Sequence, residues 1–343
     1  MKIAARLDRR KINHNEPGDV HLMVSVEAPE VEEAKRKPID AVLVIDVSTS
    51  MNEAATALPN SPTKLALAKD AAARFVQNLT AKDRVGLVVY SDDAQIVAPV
   101  GPLTSERRAT LAERIGHLKV VNGTNLVDGA LRGLRCMAEC PADGDRVRRV
   151  ILFTDGLPTV GIRGSNDIVV RAIAERLDGK TPITTIGFGE RVVESGQGSG
   201  GYDPVLLTAI AERSGGGFYH AEGMDGILGA FALELGALRS VAATDVRVAI
   251  TPGSDITVAK AYNDRPTSAK DGTTVVELGQ LYGGETQHIV VKLQLPKREK
   301  AFPRDTLAAK VVVSGVSTAS GAFQDEQRVE FRYVEASEAD TKP

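Results

Sequence analysis

The chain has 343 residues, 43% hydrophobic and 25% charged, with a formal net charge of −3 at pH 7. These are ordinary globular values that exclude disorder as the main state, and at about 150 residues per domain the length points to two domains. The slightly acidic balance argues against nucleic acid as the partner, because neutralising phosphates takes a basic surface.

At the N-terminus Arg6, Asp8, Arg9 and Arg10 interrupt any apolar run of signal-peptide length. No stretch approaches the roughly 20 apolar residues of a membrane span, so a soluble, cytoplasmic protein is expected, with no membrane partner. Residues 3–7 and 20–26 read as strands, followed by a charged, proline-bounded stretch over 29–38 that reads as a linker. Ala41-Val42-Leu43-Val44-Ile45 is a continuous apolar run, the pattern of a central strand covered on both faces. Residues 64–79 carry an apolar stripe at helical spacing through Leu65, Ala68, Ala72, Phe75 and Val76.

A second buried strand is expected over 85–90, with a short hairpin strand over 95–97 and helices over 105–118 and 126–138. Strands over 150–153, 183–188 and 218–220 then alternate with helices over 167–177, 203–213 and 224–238. Repeated strand–helix units imply parallel strands with right-handed crossovers and helices on both faces. The fold class predicted for 38–238 is therefore α/β, doubly wound. Cys136 and Cys140 sit four apart on one helix face; with no histidine nearby they read as small buried hydrophobes rather than half of a zinc site.

Beyond residue 241 the helical period gives way to alternation, as in Val246, Val248 and Ile250, or Ile289, Val291, Leu293 and Leu295. Six such runs separated by turns suggest a β-sandwich. The strands within 1–28 precede the α/β segment and have no easy place inside it. They are expected to join those of 241–335, making the α/β domain an insertion in a split sandwich.

The chemistry gathers where apolar strands end. Asp46-Val47-Ser48-Thr49-Ser50 follows the first α/β strand, and in open α/β sheets ligands bind outside the carboxyl ends of strands. A carboxylate ending a buried run is costly unless paired, hydrogen-bonded or metal-bound. Two hydroxyls at alternate positions beyond it add hard oxygen donors, suited to Mg²⁺, Mn²⁺ or Ca²⁺; the same residues are also common in plain turns. Phe153-Thr154-Asp155-Gly156 brings Asp155 to the same sheet edge. Asn122-Gly123-Thr124-Asn125 opens a helix with Thr124 at or near its N-cap, where the hydroxyl either caps the helix or faces a metal.

In order, spacing and strand context, these three segments resemble the metal-ion-dependent adhesion site of von Willebrand factor A domains, specifically those of bacterial, intracellular proteins. The resemblance implies a six-stranded Rossmann-like sheet with one antiparallel edge strand. It further implies hydroxyl ligands from Ser48, Ser50 and Thr124, with Asp46 and Asp155 binding one divalent cation directly or through water. Mg²⁺ is the first choice, Mn²⁺ and Ca²⁺ the alternatives. Three neutral hydroxyls and two carboxylates leave such an ion without surplus negative charge, so an Asp or Glu of a partner protein can complete its shell. The implied role is a non-catalytic protein–protein interaction module; an accessory subunit of an AAA+ ATPase complex is the related alternative.

Thr49 departs from a frequent glycine of the pattern. Two long loops, 52–63 and 190–202, are expected to border the ion, either as tolerated insertions or as the determinants of partner selectivity. A metal-dependent phosphotransfer enzyme is the remaining alternative; an aspartyl nucleophile at Asp46 would want a second Asp where Ser48 stands. No Gly-x-Gly-x-x-Gly follows the first strand and no phosphate-binding Gly-x-x-x-x-Gly-Lys-Ser/Thr loop occurs.

Overall fold

The computed structural model describes residues 1–32, 36–56, 59–142, 146–189, 201–262, 265, 267–301 and 304–341. The chain forms two compact units, one made of 1–36 and 240–343 and the other of 37–239. Strands β1 (Lys2–Leu7), β2 (Lys11–Asn13) and β3 (Asp19–Glu27) come first. The inserted unit begins with β4 (Ile39–Asp46), α1 (Lys64–Asn78), β5 (Arg84–Tyr90), β6 (Ala94–Pro102), α2 (Ser105–Gly116) and α3 (Leu126–Ala138). It continues with β7 (Val147–Thr154), α4 (Asn166–Ala174), β8 (Ile183–Phe188), α5 (Pro204–Ser214), β9 (Phe218–Ala221) and α6 (Gly223–Arg239). The chain ends in β10 (Val241–Pro252), β11 (Thr257–Ala261), β12 (Thr267–Lys270), β13 (Thr273–Tyr282), β14 (Thr286–Gln294), β15 (Thr306–Ser317) and β16 (Gly321–Val334).

In the inserted unit the sheet order is β6-β5-β4-β7-β8-β9. All pairs are parallel except β5 with β6. This is the α/β fold with one antiparallel edge strand. Every residue of β4 is buried, as a strand covered on both faces requires. On one face Val42 and Val44 pack with Val150, Leu152 and the inward residues of α3, α4 and α5, including Ala130, Ile173 and Leu206. On the other, Phe153 meets Phe231 of α6 at 6.4 Å between ring centroids, and Phe231 meets Phe75 of α1 at 5.8 Å. Helix α3 lies unusually close to the sheet: a Cβ on Gly133 would stand 2.6 Å from Val44, and one on Gly129 2.7 Å from the Tyr90 ring. Only glycine permits that approach.

The hairpin strand expected over 95–97 is the longer β6, which carries Pro99 and Pro102 on the edge where a missing N–H is tolerated. Helix α4 stops at Ala174, short of the expected 177.

The other unit holds two further sheets, ordered β1-β3-β14-β11 and β12-β13-β10-β15-β16-β2. Their pairs are antiparallel apart from β16 with β2. Strand β3 lies between β1 and β14, with Val24 opposite Ile289. Val20, Leu22, Val24 and Val26 share a single apolar core with Val248, Ile250, Val311 and Phe331. The short strands β2 and β12 carry no alternating apolar pattern; all four residues of β12 are exposed. Among the described residues no helix is long and apolar enough to cross a membrane.

Candidate metal centre

The edge formed by the carboxyl ends of β4 and β7 gathers the residues singled out in the sequence. Asp46 is the last residue of β4 and is fully buried. Beyond it the chain turns: Val47 N–H donates to Tyr90 O at 2.9 Å, and a 3-10 turn follows over Thr49–Asn52. This turn lines up two hydroxyls, Ser48 Oγ lying 3.1 Å from Ser50 Oγ. Ser50 in turn donates to Asp155 Oδ1 at 2.7 Å, across from β7. Asp155 is also fully buried. Ser48, Ser50 and Asp155 are therefore joined directly, and Asp46 is tied to them through Ser48 N–H, which donates to Asp46 Oδ1 at 2.8 Å.

Thr124 reaches the same edge from the loop before α3. Gly123 has φ of 75°, and a Cβ there would fall on Asp92 Oδ1, so the turn requires glycine. The cap of α3 is Asn125, whose side chain accepts from Asp128 N–H at 3.2 Å. Thr124, expected at or near the cap, is thus released from capping. A Cβ built on Gly156 would lie 3.7 Å from Ser50 Oγ and 4.0 Å from Thr124 Oγ1, so the two hydroxyls flank Gly156 together. Backbone bonds fix the loop: Thr159 N–H donates to Thr124 O at 2.9 Å and Asn125 N–H to Ser91 O at 2.7 Å.

Several side chains at the site escaped the sequence reading. Thr154 donates to Asp46 Oδ2 at 2.8 Å and Tyr90 OH to the same oxygen at 3.2 Å. Lys64, the first residue of α1, donates at 2.8 Å to Asp155 Oδ2 and at 2.8 Å to Glu53 Oε2. Lys64 stands beside an apolar stripe, where a long basic residue reads as a solvated helix start. What brings it inward is the preceding loop, pinned by Lys64 N–H to Glu53 O at 3.0 Å and Ala55 N–H to Pro62 O at 2.9 Å. Residues 57–58 of the 52–63 loop, and 190–200 of the 190–202 loop, lie outside the described residues.

The electrostatics follow from burial. Among the described residues Asp46 meets neutral hydrogen-bond donors and has a second carboxylate nearby; burial first, and the charge of Asp155 second, raise its carboxyl from 3.8 to about 6. Burial and Asp46 likewise push the Tyr90 phenol upward, which keeps it a donor. For Lys64 burial favours the neutral amine, but the hydrogen bonds to Asp155 and Glu53 outweigh it and raise the ammonium above its usual range. The donor set fits a hard divalent cation: two buried carboxylates and three hydroxyls, with no thiol or imidazole among them. Among the described residues no cluster of three or more His, Cys, Asp or Glu side chains offers a rival site. Cys136 and Cys140 are both buried, and burial pushes the Cys136 thiol up to about 11.

Residues 41–157 match the family model for the von Willebrand factor type A domain. An Arabidopsis thaliana protein named E3 ubiquitin-protein ligase WAV3 is 27% identical over 78% of this chain and 32% of its own length. A UPF0353 protein of Mycobacterium sp. (strain KMS) is 34% identical over 43% of this chain and 44% of its own. The chain thus spans less than half of either relative. Among solved structures, a von Willebrand factor type A protein from Catenulispora acidiphila superposes with a TM-score of 0.75 at 18% identity. That likeness, of fold alone, covers 98% of this chain and 74% of the other.

Proposed function

The chain carries a von Willebrand factor type A domain, and we propose that this domain binds one divalent cation and, through it, a carboxylate of a partner protein. Asp46, Ser48, Ser50, Thr124 and Asp155 would hold the ion, Mg²⁺ in the first place. The ion would supply a fixed positive point at the end of the sheet, to which an Asp or Glu side chain docks. The observation that carries this reading is the hydroxyl ladder from Ser48 through Ser50 to Asp155, beside a buried Asp46 that has only neutral donors. A buried carboxylate held that way is costly, and a hard cation is what relieves it.

The role is binding rather than catalysis. Asp46 Oδ2 is occupied by Thr154 and Tyr90, both donors, so it is not presented as a nucleophile. The curated relatives extend well beyond the part this chain spans, and their activities are not needed for it.

Thermal unfolding with Mg²⁺, with Mn²⁺ and with EDTA tests the metal; a cation bound only by the folded state raises Tm as its concentration exceeds Kd. The wild type should gain and Asp46→Ala should not. Equal responses of the two proteins would defeat the assignment. Capture of proteins from a lysate with wild type, wild type plus EDTA, and Asp46→Ala then tests the partner: a metal-held protein appears only in the first.

A further inference from the structure

Lys64 adds a charge that the ligand set alone lacks. Its ammonium holds Asp155 Oδ2 at 2.8 Å, while the other oxygen, Oδ1, takes the Ser50 hydroxyl at 2.7 Å. One oxygen of Asp155 is thereby fixed on α1 and the other is turned toward the hydroxyl ladder. The side chain of Lys64 is 9% exposed and that of Asp155 0%, so this ion pair is buried. The second partner, Glu53, is 58% exposed, and its charge is largely screened by water. The buried set therefore comprises two carboxylates and one ammonium. Bound to it, a dication leaves the set one unit positive rather than neutral.

We infer that Lys64 is a positioning residue that couples the cation to an anion: it orients Asp155, weakens the hold on a cation alone, and leaves the loaded site wanting a carboxylate. This rests on the metal-docking reading above and deepens it. The ligand it selects is an anionic group; neutral amide or hydroxyl oxygens leave the excess charge unanswered. A site without this ammonium would be neutral when loaded and would keep its cation whether or not a partner were present. With it, cation and partner carboxylate are held together or lost together, as linkage between two sites requires.

The magnitude is large enough to read. One unit charge acting on a dication across about 6 Å changes its affinity about tenfold even in a medium as screening as water. The test is Mn²⁺ binding to the full chain, followed by electron paramagnetic resonance of the free ion, for the wild type, Lys64→Gln and Lys64→Arg. Gln keeps a hydrogen-bond donor for Asp155 and removes the charge; Arg keeps the charge. We expect Lys64→Gln to bind Mn²⁺ at least about tenfold more tightly than the wild type, and Lys64→Arg to stay within about threefold of it. A Lys64→Gln protein that binds Mn²⁺ no more tightly than a wild type that does bind it overturns the inference and leaves the metal site standing. A wild type that takes up no more Mn²⁺ than Asp46→Ala overturns the site and this inference with it. The wild type alone gives a second measurement, independent of any variant's folding. Its Mn²⁺ affinity should rise when acetate replaces chloride at equal ionic strength, although free acetate competes for the ion. Equal or weaker binding in acetate refutes the coupling.

Discussion

Replacing Asp46 by Asn should stabilise the metal-free protein, and the gain can be worked from the structure. The Asp46 carboxyl moves from 3.8 to about 6 in the folded state. At 1.36 kcal/mol per unit, this corresponds to about 3 kcal/mol. Because the folded value lies above the unfolded one, the folded state holds its proton more tightly. Stability from this group is then fully present below about pH 4, falls as pH rises toward about 6, and is level above that. Asn keeps the oxygen that accepts from Ser48 N–H and places an amide opposite Thr154 Oγ1 and Tyr90 OH, both able to accept. It is neutral at every pH, so it escapes the loss. For a unit of this size, where each kcal/mol is worth about 2–4 °C, Asp46→Asn should melt about 6–12 °C above the wild type at pH 7.5 in EDTA. At pH 4 the two should nearly coincide. With Mg²⁺ added, the wild type should recover and the variant stay where it was. Differential scanning calorimetry across this pH range, at fixed ionic strength, reads all three. An Asn variant that melts below the wild type in EDTA at pH 7.5 would refute the reasoning. So would a gap that does not change with pH.

Thr124 and its neighbour should separate ligand from cap: Asn125→Ala costs about 1 kcal/mol of stability by urea unfolding, whereas Thr124→Val leaves stability nearly unchanged and lowers Mn²⁺ uptake measured by paramagnetic resonance. Arg149 and Glu234 are 0% and 1% exposed and stand 3.2 Å apart, with Thr184 donating to Glu234 at 2.8 Å. Glu234→Leu takes a carboxylate from beside a buried guanidinium and should lower the urea midpoint, by about 3 kcal/mol of stability. Deleting residues 1–28 removes β1, β2 and β3 and leaves β14 without its neighbour, along with seven residues of the buried core, Val20, Leu22, Val24 and Val26 among them. The amides of residues 241–335 should then lose their protection from hydrogen exchange; retained protection would show that β3 is dispensable.

Period and position made the α/β unit legible. The continuous apolar runs of β4 and β7 identify buried parallel strands, and an Asp ending the first strand and another just after the second place both carboxylates at one sheet edge. That is why Ser48, Ser50 and Asp155 could be grouped before any contact was known. Lys64 could not be grouped with them, because nothing local marks a lysine at a helix start as buried. Its position depends on a loop closure between Glu53 and Lys64 and on a carboxylate 91 residues away. Strands β2 and β12 were illegible for a different reason. Both lie at sheet edges: β12 has all four residues exposed, and β2 is three residues long with one buried residue, Ile12, too few to show an alternation. The cap of α3 shows the limit of composition: Thr124 and Asn125 both suit an N-cap, and only the turn at Gly123 decides between them.

Strand β4 carries a buried carboxylate near each end, and the contrast between them argues for where function resides. Asp40, at the amino end, receives Arg84 Nε at 2.8 Å and Nη2 at 2.6 Å, and Arg146 Nε at 2.6 Å. Two guanidinium groups answer one carboxylate, bidentate geometry included, so its charge is satisfied within the fold. Asp46, six residues on along the same strand, is just as buried yet meets a backbone amide, a threonine and a tyrosine. Among the described residues Lys64 is the basic side chain hydrogen-bonded at that end, and it is bonded to Asp155 rather than to Asp46. A fold that supplies arginines to one end of a strand has the means to supply them to the other. Leaving Asp46 to neutral donors costs stability in the metal-free protein, and that cost is intelligible if an external cation completes the site. On the proposed reading, the carboxyl edge of the sheet is the end that a bound cation completes.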